Sequence, residues 1–316
     1  MVAKIALEEH VLFDCVREYW EPTVKDLSLE LYRTIHRRLT DFGDERLAAM
    51  DGAGIDIAVL SVSGPGVQVE TDASKATRKA REANEELARE LTKRPGRYRG
   101  FAHLAMQDVV GAAEELERCV REYGFVGAMI NGHTNGRYLD DPMFYPFWER
   151  AEALDVAVYL HPADPPVPYV GFEGHKALAR ATWGWTMETG THALRLVFSG
   201  LFDRFPGSKF VLGHMGETLP YQLWRFDSRA RLYGAKLKLP PSETIKRNIY
   251  VTISGMFSPE PLRCAVDALG CDHVMFAADY PFETITEASR FMDTVAIEED
   301  LRRVIAHDNA ARLLKL

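Results

Sequence analysis

Residues 4–10, Lys-Ile-Ala-Leu-Glu-Glu-His, decide how the chain is read. A short apolar run of strand character ends in three ionisable groups. Successive side chains of a strand face opposite ways, so Glu8 and His10 share one face and Glu9 takes the other. Three further strand-like segments end in the same manner: 157–162 carries His161, 209–214 ends on His214, and 273–280 carries Asp279. An ionisable group closing an apolar run is costly to bury unless it has a partner or a metal. One such position carries little weight, but four point to a single divalent cation. A histidine-rich set completed by carboxylates suits zinc or manganese better than calcium or magnesium.

Outward from these segments the chain alternates. Eight β-type runs, at 4–10, 57–62, 98–104, 127–132, 157–162, 209–214, 249–254 and 273–280, are separated by helical stretches. In 109–123, Ala112, Leu116, Cys119, Val120 and Tyr123 recur at three- and four-residue spacing, the mark of one buried helix face. Segments 78–93, 145–154, 192–204, 216–230 and 259–269 read the same way. Eight strand–helix alternations imply right-handed parallel crossovers and predict an α/β fold, a closed (β/α)8 TIM barrel. The candidate ligands then all lie at strand C-termini, the catalytic end of such barrels.

No repeat, low-complexity tract or Pro/Gly-rich linker interrupts the pattern, so residues 1–316 are expected to form a single barrel domain. Two connections exceed what a βα loop needs, 11–44 after the first strand and 163–190 after the fifth. The first holds Leu12, Phe13, Tyr19 and Trp20, and the second Trp183 and Trp185. An aromatic lid over a flat ligand and plain packing of the loops fit this composition equally well.

A net charge of −8 and a pI near 5.7 argue against a nucleic-acid or anionic-membrane partner. No apolar run approaches the roughly 18 residues of a membrane span. Lys4, Glu8 and Glu9 within the first ten residues leave no room for a secretory apolar core, so a cytoplasmic protein is expected. Cys15, Cys119, Cys264 and Cys271 show no C-x-x-C spacing and read as reduced thiols.

Beyond the opening K-I-A-L-E-E-H, the chain carries P-G-V-Q at 65–68, R-G-F-A at 99–102, G-F-V-G-A at 124–128, Y-L-H-P at 159–162, G-H-M-G-E at 213–217, W-R-F-D at 224–227, S-G-M-F at 254–257 and A-D-Y-P-F-E at 278–283. In this order the motifs resemble the amidohydrolase superfamily over essentially the whole chain. Within it they are most similar to the metal-dependent decarboxylases of ortho-hydroxybenzoates such as γ-resorcylate (2,6-dihydroxybenzoate) and 2,3-dihydroxybenzoate.

The resemblance implies one divalent metal per subunit, manganese first and zinc as the alternative, held by Glu8, His10, His161 and Asp279, with no organic cofactor. Many superfamily hydrolases begin with His-x-His and place a carboxylated lysine at the end of the fourth strand. This chain has Glu-x-His, and its fourth strand ends in Asn131, which favours one metal. The resemblance further implies a nonoxidative decarboxylase of a 2,6- or 2,3-dihydroxybenzoate or salicylate, releasing CO2 and a phenol and reversible at high bicarbonate. Asp279 would be the proton donor to the ring carbon, protonated in the substrate complex by the substrate's own negative charge. His214 and Glu217 would form a pair near the substrate oxygens, Arg225 would reach the anionic ligand, and Phe282 and Trp183 would line the ring pocket. The expected partners are a small aromatic carboxylate and further copies of the chain, as a homodimer or homotetramer. A mononuclear hydrolase or hydratase acting on a lactone or unsaturated diacid, with Asp279 as base toward a metal-bound water, is the alternative. His36, His175, His192, His273 and His307 receive no role, while His103 and His133 fall near strand ends without one.

Overall fold

In a computed structural model describing residues 2–316, the eight runs become strands β1 (Lys4–Val11), β2 (Ile55–Val62), β3 (Tyr98–Ala102), β4 (Gly127–Asn131), β5 (Ala157–His161), β6 (Lys209–Leu212), β7 (Ile249–Thr252) and β8 (Val274–Met275). They stand side by side in chain order, each neighbouring pair parallel, with helices in the connections: a (β/α)8 barrel. No helix of the described residues is long and apolar enough to cross a membrane.

Side-chain alternation sorts the apolar residues into two layers. Leu7, Val59, Phe101, Met129, Tyr159, Val211 and Met275 fill the barrel interior and are joined by Leu313 and Leu314 of the C-terminal helix. Ala6, Ala58, Leu60, Ala102, Ala128, Ile130, Val158 and Leu160 face the surrounding helices. Above the interior layer the same alternation aims the next residues of each strand into the barrel mouth, where the chemistry lies.

One strand breaks the alternation. Strict alternation from Leu7 would carry Glu9 inward and turn Glu8 and His10 out. A β-bulge intervenes: Ala6 pairs with Ala58 and Glu9 with Leu60, three residues of β1 against two of β2. The extra residue rephases the strand, so Glu8 and His10 point inward and Glu9 points to the helices.

The ladder of β8 is shorter than the expected 273–280, covering only Val274–Met275. The following residues, among them Asp279 with φ of 68°, are held by β1 in a different way. Asp279 N donates to Glu8 O (3.0 Å), His10 N to Tyr280 O (2.7 Å), and Ala278 N to the Glu9 carboxylate (2.9 Å). Buried Arg46 braces this seam by donating to His10 O (2.7 Å) and Arg38 O (3.0 Å) while its guanidinium lies 4.7 Å above the Tyr280 ring.

Helix limits also differ from expectation. The helix expected at 216–230 is Leu219–Leu232, because residues 214–218 wind left-handed. The one expected at 192–204 starts earlier, at Gly184, and ends at Phe198; Gly200, with φ 76°, separates it from the turn Leu201–Arg204. The connection 11–44 contains the helix Leu29–Thr40, and its Tyr19 and Trp20 are buried in the core, so these aromatics pack the segment down. The connection 163–190 runs largely exposed as far as Trp183.

Arg46→Met should destabilise the fold by about 3–5 kcal/mol, the usual cost of removing one member of a buried polar network. Urea denaturation measures this, and a loss below 1 kcal/mol would show that the seam stands without the brace.

Candidate metal centre

The bulge in β1 and the seam with β8 bring three side chains together, and β5 supplies a fourth. One donor atom each from Glu8, His10, His161 and Asp279 lies within 4.8 Å of the others. His10 Nε2 stands 3.2 Å from Asp279 Oδ1, and His161 Nε2 stands 3.6 Å from Glu8 Oε1. The other ring nitrogens are engaged: His161 Nδ1 meets Pro162 O at 2.9 Å and His10 Nδ1 meets Ser61 Oγ at 3.3 Å. Those contacts orient both rings with Nε2 toward the group.

The donors fit a divalent cation. Glu8 Oε1, His10 Nε2 and Asp279 Oδ1 are all buried without a hydrogen-bond partner. Leaving such atoms unpaired is costly in a low-dielectric interior, and a cation would satisfy them together. Two carboxylates and two imidazoles offset the charge of one dication. Burial, with His10 beside it, pulls His161 down to about 3, so its Nε2 keeps a free lone pair at neutral pH.

Glu8 is held by residues the sequence did not single out. Its second oxygen accepts a 2.5 Å hydrogen bond from Tyr159 OH, which also meets Thr252 Oγ1 at 2.9 Å. Burial and the adjacent Glu8 push the Tyr159 phenol well above its ordinary range, so it remains a donor. Tyr159 stands two residues before His161, hence on the same inward face, and that spacing was its available signal. Gly213 comes so close to Glu8 that a Cβ there would sit 2.7 Å from Oε2.

His214 stands near the second carboxylate oxygen of Asp279. Its Nδ1 meets Glu217 Oε1 at 2.8 Å and its Nε2 stands 3.9 Å from Asp279 Oδ2. Burial alone would lower the His214 pKa, but Glu217 and Glu8 outweigh it and raise it well above the usual value. Burial likewise opposes ionisation of Asp279, yet His10 and His214 hold its carboxyl below the ordinary range. The pair rides on an unusual turn: His214, Met215, Gly216, Glu217 and Thr218 have φ of 49°, 55°, 78°, 51° and 65°. Left-handed backbone costs each L-residue about 1–2 kcal/mol, and such a run is a strained feature concentrated at the site.

Phe282 adjoins the centre, its ring 5.6 Å from that of His10, and is 42% exposed. Arg225 and Trp183 line one surface groove together with Thr218, Tyr221, Gln222 and Trp224, next to the turn that carries His214 and Glu217. His103 accepts from Val67 N at 3.0 Å, and His133 contacts Asp164 O and Gly136 N.

Comparison with known proteins agrees with this fold. A family model described as Amidohydrolase matches residues 14–316. The chain is 42% identical over 327 residues to a gamma-resorcylate decarboxylase of Polaromonas sp. strain JS666, covering 100% of this chain and 99% of that protein. A crystal structure of 2,6-dihydroxybenzoate decarboxylase complexed with 2,6-dihydroxybenzoate superimposes with a TM-score of 0.95 at 40% identity, covering 100% of both chains. The dihydroxybenzoic acid decarboxylase of Polaromonas sp. JS666, with bound manganese and the inhibitor 2-nitroresorcinol, gives 0.94 at 40% identity, covering 100% of this chain and 98% of that one.

Tyr159→Phe should weaken metal binding about 10- to 100-fold, the usual effect of removing a hydrogen bond to a metal ligand. Competition with a fluorescent chelator measures it, and unchanged affinity would mean that Glu8 needs no such support. Thr218 is exposed and β-branched in left-handed backbone. Thr218→Gly should therefore stabilise by about 0.5–1 kcal/mol, the relieved strain exceeding the added chain entropy. Calorimetry should show Tm rising by about 1–3 °C, whereas a fall would show the turn to be unstrained.

Proposed function

The chain belongs to the amidohydrolase family, and on that premise we propose that it is a metal-dependent, nonoxidative decarboxylase of 2,6-dihydroxybenzoate and closely related ortho-hydroxybenzoates. The observation that carries this reading is the position of Asp279. One of its oxygens faces His10 among the prospective metal donors, and the other faces His214. Full-length likeness to dihydroxybenzoate decarboxylases, one of them holding manganese, supports the same reading.

Glu8, His10, His161 and Asp279 would hold the metal, manganese by analogy with that relative, with zinc suited to the same donors. When bound, the metal supplies Lewis-acid neutralisation of the substrate carboxylate and the neighbouring phenolate. The chain's own groups perform the proton transfer. Asp279 is ionised in the free protein, and an arriving anion raises its affinity for a proton. His214, kept cationic by Glu217, is the adjacent proton source. Asp279 delivers the proton to the ring carbon bearing the carboxylate. The carbon–carbon bond then breaks, its electron pair restores the aromatic ring, and CO2 departs. Phe282 forms an apolar wall beside His10.

Arg225 and Trp183 act at the rim in this reading. Tyr221 and Trp224, 83% and 74% exposed on the same groove, give that rim an apolar face of the kind that packs in a homodimer or homotetramer. The chain works as one domain, and its four unpaired cysteines suit the cytoplasm.

Protein stripped by chelator and reloaded with Mn2+ should convert 2,6-dihydroxybenzoate to resorcinol and CO2 only in the reloaded form, followed by HPLC. No conversion of any hydroxybenzoate with metal bound would sink the reading and direct the search to lactones and unsaturated diacids. Asp279→Asn should lower kcat at least about 10²–10⁴-fold, the usual contribution of a general acid. Substantial turnover in the metal-loaded variant would remove Asp279 from the proton-donor role.

A further inference from the structure

We infer that Asn131 sets substrate specificity, its amide binding the second ortho hydroxyl of a 2,6-dihydroxybenzoate; the inference rests on the decarboxylase reading above. Asn131 ends β4 and pairs with His161 at the end of β5. Paired residues of parallel strands share a face, so the amide points into the barrel mouth with the imidazole. It is buried, and neither Oδ1 nor Nδ2 has a hydrogen-bond partner. Among the described residues, it is the one side chain with two polar atoms both buried and unpartnered. An amide left in that condition is costly unless a ligand completes it.

Two glycines lie beside the amide, and a side chain at Gly64 would crowd it. A Cβ on Gly64 would stand 3.2 Å from Asn131 Oδ1 and 3.4 Å from His161 Nδ1, and one on Gly66 would stand 3.4 Å from Asn131 Nδ2. The adjacent polar groups are engaged elsewhere: His103 with Val67 N and Ser61 with His10.

A 2,6-dihydroxybenzoate presents its carboxylate and one ortho oxygen to the metal. Its other ortho hydroxyl lies on the far side of the carboxylate and needs both an acceptor for its hydrogen and a donor to its oxygen. A primary amide offers both. Salicylate lacks that hydroxyl and makes no use of the amide.

The test compares kcat/KM for 2,6-dihydroxybenzoate and salicylate on one preparation each of the Mn2+-loaded wild type and Asn131→Leu. The ratio of the two substrates does not depend on the fraction of folded enzyme. Where salicylate is not turned over, its inhibition constant replaces its kcat/KM. Asn131→Leu should lose about 10- to 100-fold on 2,6-dihydroxybenzoate, the cost of a hydroxyl left unpaired, and change less than about threefold on salicylate. Because the amide has no partner in the free protein, Tm should not fall; Asn131→Ala provides the same ratio if the leucine variant does not fold. Equal losses on both compounds would overturn the inference and leave the decarboxylase reading standing. A wild type that converts neither compound would overturn the inference, and conversion of no hydroxybenzoate at all would overturn both.

Discussion

The structure depends on how the barrel closes between β8 and β1. The other strands pair by parallel ladders, broken between β1 and β2 by the bulge, but here the bonds from Asp279 N to Glu8 O and from His10 N to Tyr280 O join the sheet at the residues that would bind metal. Closing the barrel and assembling the donor set are therefore one event. The bulge between Ala6 and Glu9 makes it possible, since it alone turns Glu8 and His10 inward above an interior that begins with Leu7. Glu9, sent outward, is not wasted: it accepts Ala278 N and helps fix the strand that bears Asp279.

Such a centre is electrostatically expensive, and the surrounding groups show how the cost is distributed. Burial pushes the Glu8 carboxyl upward, and Tyr159, a phenol that stays protonated, hydrogen-bonds one of its oxygens. His10 and His161 each spend one nitrogen on a neighbour and present the other to the centre. His214 and Glu217 sit on five consecutive left-handed residues. That conformation lets Gly213 pass close to Glu8 while the imidazole turns toward Asp279. Strain at this point is consistent with a site whose geometry is set by its surroundings rather than by local preference.

Much of this was legible from the sequence. Apolar runs that end in ionisable residues mark strand termini wherever the fold buries them, so the barrel and the convergence of Glu8, His10, His161, His214 and Asp279 could be read from pattern, while the family resemblance narrowed the metal set to Glu8, His10, His161 and Asp279. The reading failed where information is not periodic. A bulge leaves no mark in composition, and Leu7 followed by Glu8 gave no sign that both lie on the inward side. Tyr159 resembled one more core aromatic, since only the fold shows its hydroxyl reaching Glu8. The left-handed turn ran against helical periodicity from 216 onward, and Gly213 and Gly216 were its only hints. Arg225 was expected to reach the anionic ligand and Trp183 to line the ring pocket; the two share one surface groove with Thr218, the last residue of that left-handed turn.

The proposed chemistry centres on one cation at the β8–β1 seam. Anomalous diffraction at the manganese edge, from crystals grown with Mn2+ and 2,6-dihydroxybenzoate, tests this most directly. A single peak per chain is expected, enclosed by Glu8, His10, His161 and Asp279, with the substrate carboxylate and one ortho oxygen against it. A second peak beside the first, or a metal located elsewhere with these four side chains unliganded, would contradict it.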